Sequence, residues 1–524
     1  MKGNVGVGMN IAELVLRHVN RGSADAIIDY ESGRRRSFGD LENRVRRIGA
    51  GVEKEFGLRR GDKIAVLSRN SLEYMEILLA CAAHGFLLQA MNWRLSVNEL
   101  GEILKVDPPS AVFYHEEFEQ QVNELSALVN CSNWVQWSVD SSRSALEELI
   151  ARTKYPSSTS SFEAGDDDPF LVVYTGGTTG VSKGAVHTHR TAAAAMAQNT
   201  VGERVVPTDR FMLMGPMFHS PVLLAINYLT HGCPIIMVNF KPDVALSAIQ
   251  DEKITASMGI PTMFQSMIPL LYDGGWDVSS LRNVQYGGSP IAKTVVRELI
   301  ELLGCGFIQC YGRTEELAIT FLSQEDHVRA VLDIFPERLE SCGREAWLTR
   351  VVLVDGSGQE IPRSSRDAGE LVASSPAAMI GYLGRPDLTA EATYRSGWLR
   401  TGDVAMFDEY GYLYLVGRSK ELIISGGENI YPAQVERAIQ RLSDVQHVAV
   451  VGVPDESWGE SVKAYVMVRP GAVLTASDVI SAAATGLGSY QKPKYVEFLD
   501  EMPMTPSGKI DKIALKRAAH DSEG

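Results

Sequence analysis

The sequence predicts an α/β protein with a large amino-terminal domain and a small carboxy-terminal domain. Short apolar, strand-like runs alternate with helical patterns as far as about residue 380, which is typical of mostly parallel sheets with helical crossovers. After residue 400 the pattern changes to short strands and glycine turns ahead of a helix. The 524 residues exceed what one hydrophobic core usually holds. We therefore expect a large domain of mixed, mostly parallel sheets with helices over 1–419 and a small α+β domain over 420–524.

An amphipathic helix is predicted early in the chain. Leu41, Val45, Ile48 and Val52 recur at helical spacing, and Ser37 precedes them as a candidate cap.

Other elements follow from short apolar runs and from Gly or Pro boundaries. The run IAVLS at 64–68 follows a Gly-Asp turn and predicts a buried strand, which leads into a helix from Ser71 to about Ala83. In the last hundred residues, helices are predicted at Pro432–Ile439 and near 475–486.

Composition excludes several classes of protein. The net charge of -15 argues against sequence-independent nucleic-acid binding, which needs a broad basic surface. The six cysteines are scattered without a Cys-x-x-Cys pair, so neither a disulfide framework nor a structural zinc site is expected, and a reducing cytoplasm fits best. The first residues lack the apolar block of a secretory signal. No apolar run approaches the roughly 18 residues of a membrane span, so no integral membrane segment is expected.

The stretch YTGGTTGVSKG at 174–184 carries the clearest chemical information. It contains four glycines, three threonines, a serine and Lys183, and it begins at the end of a predicted strand at 171–175. Backbone N–H groups and hydroxyls in such a loop form a cradle for anions, and the lysine supplies charge. The spacing is not that of a Walker A loop, because Gly184 follows the lysine. Taken alone, the loop is also compatible with a structural turn.

This loop resembles the phosphate-binding signature of the adenylate-forming superfamily, which comprises acyl-CoA synthetases, peptide-synthetase adenylation domains and beetle luciferases. The usual signature reads Tyr-Thr-Ser-Gly-Thr-Thr-Gly-x-Pro-Lys-Gly, and this sequence departs from it at Gly176 and Ser182. The first departure removes one hydroxyl donor to pyrophosphate. The resemblance implies a phosphate-binding set of Thr175, Gly176, Gly177, Thr178, Thr179, Gly180 and Lys183.

A second stretch, YGRTEE at 311–316, resembles the same superfamily. The resemblance implies that Thr314 contacts the α-phosphate, that Glu315 holds Mg²⁺, and that Tyr311 lies against adenine. One carboxylate beside phosphate oxygens suits Mg²⁺. Alone, a Thr-Glu pair is more often a helix cap than a metal site. The implied nucleotide site also includes Gly287, Gly288, Ser289 and Gly312.

The third and fourth stretches, WLRTGD and GRSKELIISGGENIYP, supply ribose-binding candidates. Asp403 carries a carboxylate that can accept hydrogen bonds from two vicinal hydroxyls, and Arg418 resembles an arginine that contacts ribose and phosphate. Out of context, both belong to ordinary turns.

The carboxy-terminal region is implied to be a mobile lid. Lys420 matches a hinge position, and Gly426 and Gly427 match residues that line a channel for the pantetheine arm of coenzyme A. The fifth stretch, TPSGKI at 505–510, presents Lys509, which in the superfamily reaches the active site during adenylation.

The acyl end of the site is less clearly marked. His219, in PMFHS, matches a position at the mouth of the acyl pocket, and either a catalytic role or a core or gate role remains open. Residues 218–230 contain no acidic side chain to pair an α-ammonium group. An apolar or aromatic acid is therefore favoured over an amino acid.

The resemblance implies ATP-dependent activation of a small-molecule carboxylic acid to acyl-AMP, followed by thioester formation with coenzyme A. ATP, Mg²⁺ and coenzyme A are the implied cofactors, and the acid is expected to be fatty or aromatic. Two alternatives are loading of a carrier-protein thiol and a luciferase-like oxygenase. Whether the chain forms a homodimer is left open.

Overall fold

A computed structural model describes residues 9–140, 143–155, 164–175, 182–289, 291–426, 428–455, 457–485, 487–505 and 510–521. The α-helices are α1 (Ile11–Leu16), α2 (Phe38–Phe56), α3 (Leu72–His84), α4 (Val97–Val106), α5 (Glu119–Ser126), α6 (Ala145–Arg152), α7 (His189–Glu203), α8 (Pro221–Thr230), α9 (Pro242–Glu252), α10 (Pro261–Asp273), α11 (Lys293–Leu303), α12 (Gln324–Val331), α13 (Pro386–Ala392), α14 (Pro432–Ile439), α15 (Ala476–Ala484) and α16 (Lys512–Asp521). The strands are β1 (Asp25–Asp29), β2 (Arg35–Ser37), β3 (Lys63–Leu67), β4 (Leu87–Ala90), β5 (Ala111–His115), β6 (Trp134–Trp137), β7 (Pro169–Thr175), β8 (Lys183–Thr188), β9 (Phe211–Leu213), β10 (Ile235–Met237), β11 (Ala256–Gly259), β12 (Asn283–Gly287), β13 (Gly306–Arg313), β14 (Leu317–Leu322), β15 (Arg344–Glu345), β16 (Arg350–Val354), β17 (Glu360–Ile361), β18 (Gly369–Ser374), β19 (Gly381–Tyr382), β20 (Thr393–Arg395), β21 (Trp398–Phe407), β22 (Leu413–Arg418), β23 (Ile423–Ser425), β24 (Glu428–Ile430), β25 (Val445–Asp455), β26 (Gly459–Val468) and β27 (Tyr495–Phe498).

The predicted amphipathic helix is α2, and Ser37 caps it. The Ser37 hydroxyl accepts from the backbone N–H of Asp40, whose carboxylate accepts in return from the Ser37 N–H. This reciprocal pair satisfies two of the N–H groups that a helix start leaves open. The four apolar residues predicted to form the inner face are at most 1% exposed: Leu41, Val45, Ile48 and Val52.

The other predicted elements are confirmed within one to three residues. The apolar run at 64–68 is β3, and the following helix α3 is capped by Ser71. The predicted helix at Pro432–Ile439 is α14, with proline at its first position, and the one near 475–486 is α15.

Two sheets of the large domain are mostly parallel, as predicted. One runs in the order β15-β14-β13-β12-β11-β9-β10-β1-β2, with antiparallel pairs only at its two ends. The other runs β19-β8-β7-β4-β3-β5-β6 and turns antiparallel at β8. A shared apolar core joins them and includes Phe113 from the second sheet, Phe211 from the first, and most of α3 and α8.

A third sheet is antiparallel throughout its described strands, in the order β17-β16-β18-β21-β20 with β22 beside β21. It brings Asp403 of β21 opposite Arg418 of β22. No pattern in the sequence predicted this sheet as a separate unit.

The small domain has its own sheet, β24-β23-β26-β25 with β27 beside β26, which carries α14, α15 and α16. Lys420 lies in the helical turn Ser419–Glu421, between β22 of the third sheet and β23 of this one. The placement agrees with a boundary near Lys420, which stays a prediction. Within the described residues, no helix combines the length and the apolar character needed to cross a membrane.

Glu203, at the end of α7, makes stability depend on pH. Its side chain is buried, and burial raises its pKa to about 8, although Tyr228 and Arg282 partly oppose the rise and Asp209 adds to it. The folded protein therefore keeps a proton that the unfolded chain releases above its ordinary pKa of 4.5. The stabilisation that Glu203 contributes is fully present below its ordinary pKa of 4.5. It is lost as the pH rises towards about 8.

We expect this group to lower the free energy of unfolding by about 1.4 kcal/mol per pH unit over that window. Glu203→Gln should remove this part of the slope, whereas Glu298→Gln, at an exposed hydrogen-bonded carboxylate, should keep it. Urea unfolding at pH values between roughly 5.5 and 7.5 measures the slope. Equal slopes in the wild type and Glu203→Gln would contradict the assignment.

Candidate active site

The Gly/Thr loop is a hairpin connection between β7 and β8. Thr175 ends β7, Lys183 begins β8, and the two residues pair across the hairpin. The Thr175 hydroxyl donates to the Lys183 carbonyl at 3.4 Å. The loop residues between them lie outside the described residues, so their phosphate-binding role stays a prediction: Gly176, Gly177, Thr178, Thr179 and Gly180.

Tyr382 connects this hairpin to the predicted metal ligand. Its hydroxyl donates to Glu315 Oε1 at 2.5 Å, and Lys183 Nζ lies 5.4 Å from the centre of its ring. Burial raises the pKa of Tyr382, so the hydroxyl keeps its proton and remains a donor. The lysine and the carboxylate, 132 positions apart along the chain, are thus held on either side of one tyrosine.

The backbone of Thr314 and Glu315 is fixed from two sides. Burial lowers the pKa of His187 to about 4, so this histidine is neutral. Its Nε2 lies 2.8 Å from the Thr314 carbonyl and must therefore carry the proton and donate. The Met379 N–H donates to the Glu315 carbonyl at 2.7 Å.

Arg313 links the Thr314–Glu315 turn to the third sheet. Its guanidinium lies 3.0 Å from Glu315 Oε1 and 3.5 Å from Glu316 Oε1, and it donates to the Arg400 carbonyl at 2.9 Å. Burial alone would lower the pKa of Arg313. The nearby carboxylates of Glu316 and Glu315 outweigh this effect, so the pKa of Arg313 is raised above its ordinary value. The arginine stays charged and ties the turn to β21.

Asp403 is the second carboxylate of the cleft. Tyr311 donates its hydroxyl to Asp403 Oδ2 at 2.6 Å, and Arg418 Nε lies 3.1 Å from Oδ1. Asp403 is buried, while half of the Arg418 side chain is exposed. Tyr311 therefore holds the predicted ribose ligand through its hydroxyl. Its ring lies in an apolar cluster with Ile319 and Leu371, and a place against adenine stays a prediction.

The glycines near the predicted base site are required by backbone packing. A Cβ on Gly287 would lie 2.2 Å from the Cys310 carbonyl oxygen, and one on Gly312 would lie 1.6 Å from the Leu317 carbonyl oxygen. Gly288 has φ +81°, and Ser289 follows it in a half-buried position. This close packing is a second reason for the glycines, besides approach to a base.

His219 lies immediately before α8. Its Nδ1 accepts from the Ser220 N–H at 2.9 Å, and its own backbone N–H donates to the Pro216 carbonyl at 3.1 Å. Both the catalytic and the gate interpretations stay predictions.

The small domain supplies fewer described site residues. Lys420 is exposed in its turn. Gly426 has φ +59°, and a Cβ there would lie 2.4 Å from the Trp458 ring, so a glycine is needed for local packing. Gly427 and Lys509 lie outside the described residues, and their roles stay predictions.

Glu315 suits a magnesium ligand. Its Oε1 is held by Tyr382 and Arg313, and the described residues give no hydrogen-bond partner to Oε2. No group of three His, Cys, Asp or Glu side chains arranged for a metal occurs among the described residues. Mg²⁺ is usually bound by one or two carboxylates together with phosphate oxygens and water, so a single carboxylate at this position suits it.

Described residues of four predicted stretches are therefore linked by one series of contacts. The contacts run from Lys183 through Tyr382 to Glu315, then through Arg313 to β21 and Asp403. The carboxyl ends of β7, β12 and β13 all lead into these residues, as expected for ligand sites of parallel sheets.

Sequence reasoning missed Tyr382, Arg313 and His187. Arg313 stands inside the quoted stretch, and its charge beside two glutamates was a usable signal. Tyr382 is 67 residues from Glu315, and no local pattern connects the two.

Comparisons with known proteins agree with this geometry. The AMP-binding enzyme family matches residues 16–383, and the AMP-binding enzyme C-terminal domain matches residues 434–509. A feruloyl-CoA synthase from Amycolatopsis sp is 35% identical over 92% of this chain and 93% of its own. The fatty acid–[acyl-carrier-protein] ligase ScoC of Streptomyces coeruleorubidus is 33% identical over 91% and 90%. The structure of the amide bond synthetase McbA from Marinactinospora thermotolerans superimposes with a TM-score of 0.87, at 29% identity, over 97% of this chain and 99% of that one.

The chain belongs to the AMP-binding enzyme family. Within it, the protein is an enzyme of the AMP-forming acyl-CoA synthetase class.

Proposed function

We propose that the enzyme converts a fatty or aromatic carboxylic acid and ATP into acyl-AMP and pyrophosphate, and then transfers the acyl group to coenzyme A. One observation supports the proposal: contacts through Tyr382 and Arg313 link Lys183 and Glu315 to β21, the strand that carries Asp403. These groups are what a bound nucleotide needs for its phosphates, its metal and its ribose.

In the first half-reaction, an oxygen of the acid attacks the α-phosphorus of ATP, and the bond to pyrophosphate breaks. Two anions must approach each other, so catalysis consists mainly of charge neutralisation and alignment. Lys183 and Lys509 provide positive charge, while Thr314 would supply its hydroxyl as a donor to the α-phosphate. When Mg²⁺ is bound at Glu315, it neutralises phosphate charge.

In the second half-reaction, the coenzyme A sulfur attacks the acyl carbon, and the bond to AMP breaks. The thiol proton is lost, and AMP leaves with its phosphate charge restored. His219, whose Nδ1 is already occupied, carries its proton on Nε2 near the start of α8. We assign it to the mouth of the acyl site.

The choice of a fatty or aromatic acid has two supports. Residues 218–230 hold no carboxylate that would pair an α-ammonium group. The relatives include proteins named for feruloyl, indoleacetate and long-chain fatty acyl groups.

A carrier-protein thiol is the second candidate acceptor. It is favoured by the likeness to a ligase that loads an acyl carrier protein. A panel of carboxylic acids, scored for pyrophosphate and AMP release with and without coenzyme A, separates the two. We expect AMP release and thioester formation to require coenzyme A. Acyl-AMP that accumulates unchanged with coenzyme A would refute it as the acceptor.

The small domain is proposed to pivot near Lys420 between the two half-reactions. Lys420→Pro restricts the φ of the pivot residue and the conformation of Ser419 before it. We expect thioester formation to slow by about tenfold or more while acyl-AMP formation changes less. Single-turnover assays of each half-reaction measure both rates.

Lys420→Ala is the matched control, because it removes the amine and keeps backbone freedom. It should retain thioester formation close to the wild-type rate. Unchanged thioester formation in Lys420→Pro would count against a hinge at this position.

A further inference from the structure

His187 is a fully buried histidine in β8, the strand that begins at Lys183. Its Nε2 donates to the Thr314 carbonyl at 2.8 Å. Nδ1 can then only accept, and the Thr191 hydroxyl in the first turn of α7 lies 3.3 Å from it. The ring therefore connects the start of α7 to the turn that carries Thr314.

The turn between β13 and β14 depends on support from its surroundings. It spans residues 314–316 and ends at Leu317, whose φ of +60° lies in the left-handed region. Residues other than glycine rarely adopt that conformation, because Cβ comes too close to a neighbouring carbonyl oxygen. Thr314 is also buried, so its carbonyl would be left unpaired without His187. Contacts from neighbouring elements must therefore hold the turn in place.

The edge of the second sheet, formed by β8 and β19, supplies three such contacts. His187 donates to the Thr314 carbonyl, and the Met379 N–H donates to the Glu315 carbonyl. The Tyr382 hydroxyl donates to the Glu315 side chain. Because two of these bonds hold the carbonyls of consecutive residues, they fix the peptide planes on both sides of Glu315.

The side chains that hold the turn share one face of the sheet with Lys183. Lys183, Ala185 and His187 alternate along β8 and so point to the same side. Tyr382 of β19 pairs with Ala185, and directly opposite residues of two strands also share a face. Lys183 Nζ lies 5.4 Å from the centre of the Tyr382 ring, in agreement with this arrangement. One strand therefore carries both the proposed phosphate-binding lysine and a support of the Thr314 turn.

We propose that His187 is a positioning residue for acyl-AMP formation. Its bond to the Thr314 carbonyl fixes the peptide between Thr314 and Glu315 and places both residues relative to Lys183. The proposal rests on the proposed function, in which these three residues bind the phosphates and the metal of ATP. His187 acts through Thr314 and is not itself a catalytic residue.

His187→Leu removes the donor and keeps a side chain of similar size. We expect kcat for acid-dependent pyrophosphate release to fall by about 10- to 100-fold, because a small displacement of a catalytic group can cost this much. The dissociation constant of ATP, measured by calorimetry, should change by less than about threefold, since the loss concerns alignment in the transition state.

Glutamine and asparagine at position 187 form a matched pair. The glutamine amide nitrogen can take the place of Nε2 and donate to the same carbonyl, whereas the shorter asparagine places its amide nitrogen near Nδ1. His187→Gln should therefore keep kcat within about threefold of the wild type. His187→Asn should be as slow as His187→Leu, and it replaces the leucine variant in the comparison if that variant does not fold.

Two further variants locate the effect. Thr314→Val removes the hydroxyl proposed to contact the α-phosphate. Because His187 acts through Thr314, the loss in the double variant His187→Leu/Thr314→Val should be at least about threefold smaller than the product of the two separate losses.

His327→Leu is the control for the loss of a buried histidine. His327 is 1% exposed, and its two ring nitrogens lie within hydrogen-bond distance of the Tyr286 hydroxyl and the Ser323 carbonyl. The variant should keep the wild-type kcat. Thermal unfolding of every variant shows whether it is folded.

The outcomes separate this inference from the proposed function. If no acid releases pyrophosphate with the wild type, the proposed function fails and the inference falls with it. If the wild type is active and folded His187→Leu has the same kcat, only the inference is overturned. Equal losses in the glutamine and asparagine variants, fully multiplicative losses in the double variant, or an equal loss in His327→Leu would overturn it as well.

Discussion

Replacing Lys509 with alanine should slow acyl-AMP formation by roughly 10²–10³, which corresponds to the loss of one preorganised electrostatic contact. The lysine is proposed to enter the cleft only during adenylation, when it faces the charge that develops at the α-phosphate. Transfer from preformed acyl-AMP to coenzyme A should therefore stay within a few-fold of the wild-type rate. Single-turnover measurements of each half-reaction give both values.

Lys516→Ala is a suitable control for this prediction. Lys516 is in the same terminal segment, 42% exposed, and 3.8 Å from Glu460. Its loss should change neither half-reaction appreciably. Equal losses in both half-reactions of Lys509→Ala would show that the lysine acts on the structure of the lid and not on adenylation.

The second large effect is expected for Glu315→Gln. Glutamine can still accept from the Tyr382 hydroxyl, but it carries no charge and is a poor ligand for Mg²⁺. Pyrophosphate formation should fall by roughly 10²–10³ at a fixed magnesium concentration. The magnesium concentration that gives half-maximal rate should also rise. A titration of the initial rate against magnesium measures both changes.

Glu298→Gln removes a carboxylate that is exposed and hydrogen-bonded to Tyr272. It should leave both the rate and the magnesium requirement as they are in the wild type. If the magnesium titration of Glu315→Gln matched that of the wild type, the result would show that Glu315 is not a ligand of the metal.

Local patterns in the sequence were sufficient to predict the elements that are stabilised by contacts between residues close together in the chain. Ser37 and the four apolar positions of α2 form a cap and a face within one helix, and both are confirmed. The two parallel sheets also follow, because alternating strands and helices leave few other arrangements. The short strands of the third sheet carry no comparable signal, since they pair over long separations.

The candidate site also contains residues that local motifs predicted and residues that they did not predict. Motifs such as YGRTEE and WLRTGD named Glu315 and Asp403, and Arg313 links the turn of Glu315 to the strand that carries Asp403. What holds them in place, above all Tyr382, comes from a distant strand and depends on tertiary packing. The acyl site was expected to be apolar, from residues next to His219.

The central claim is that one cleft binds ATP and an acid and joins them. Exchange of labelled pyrophosphate into ATP tests it most directly, because the exchange requires reversible formation of acyl-AMP. We predict exchange that depends on the acid, proceeds without coenzyme A, and is slowed by roughly 10²–10³ in Glu315→Gln. Exchange that is absent with every acid, or cleavage of ATP to ADP in place of AMP, would contradict the account.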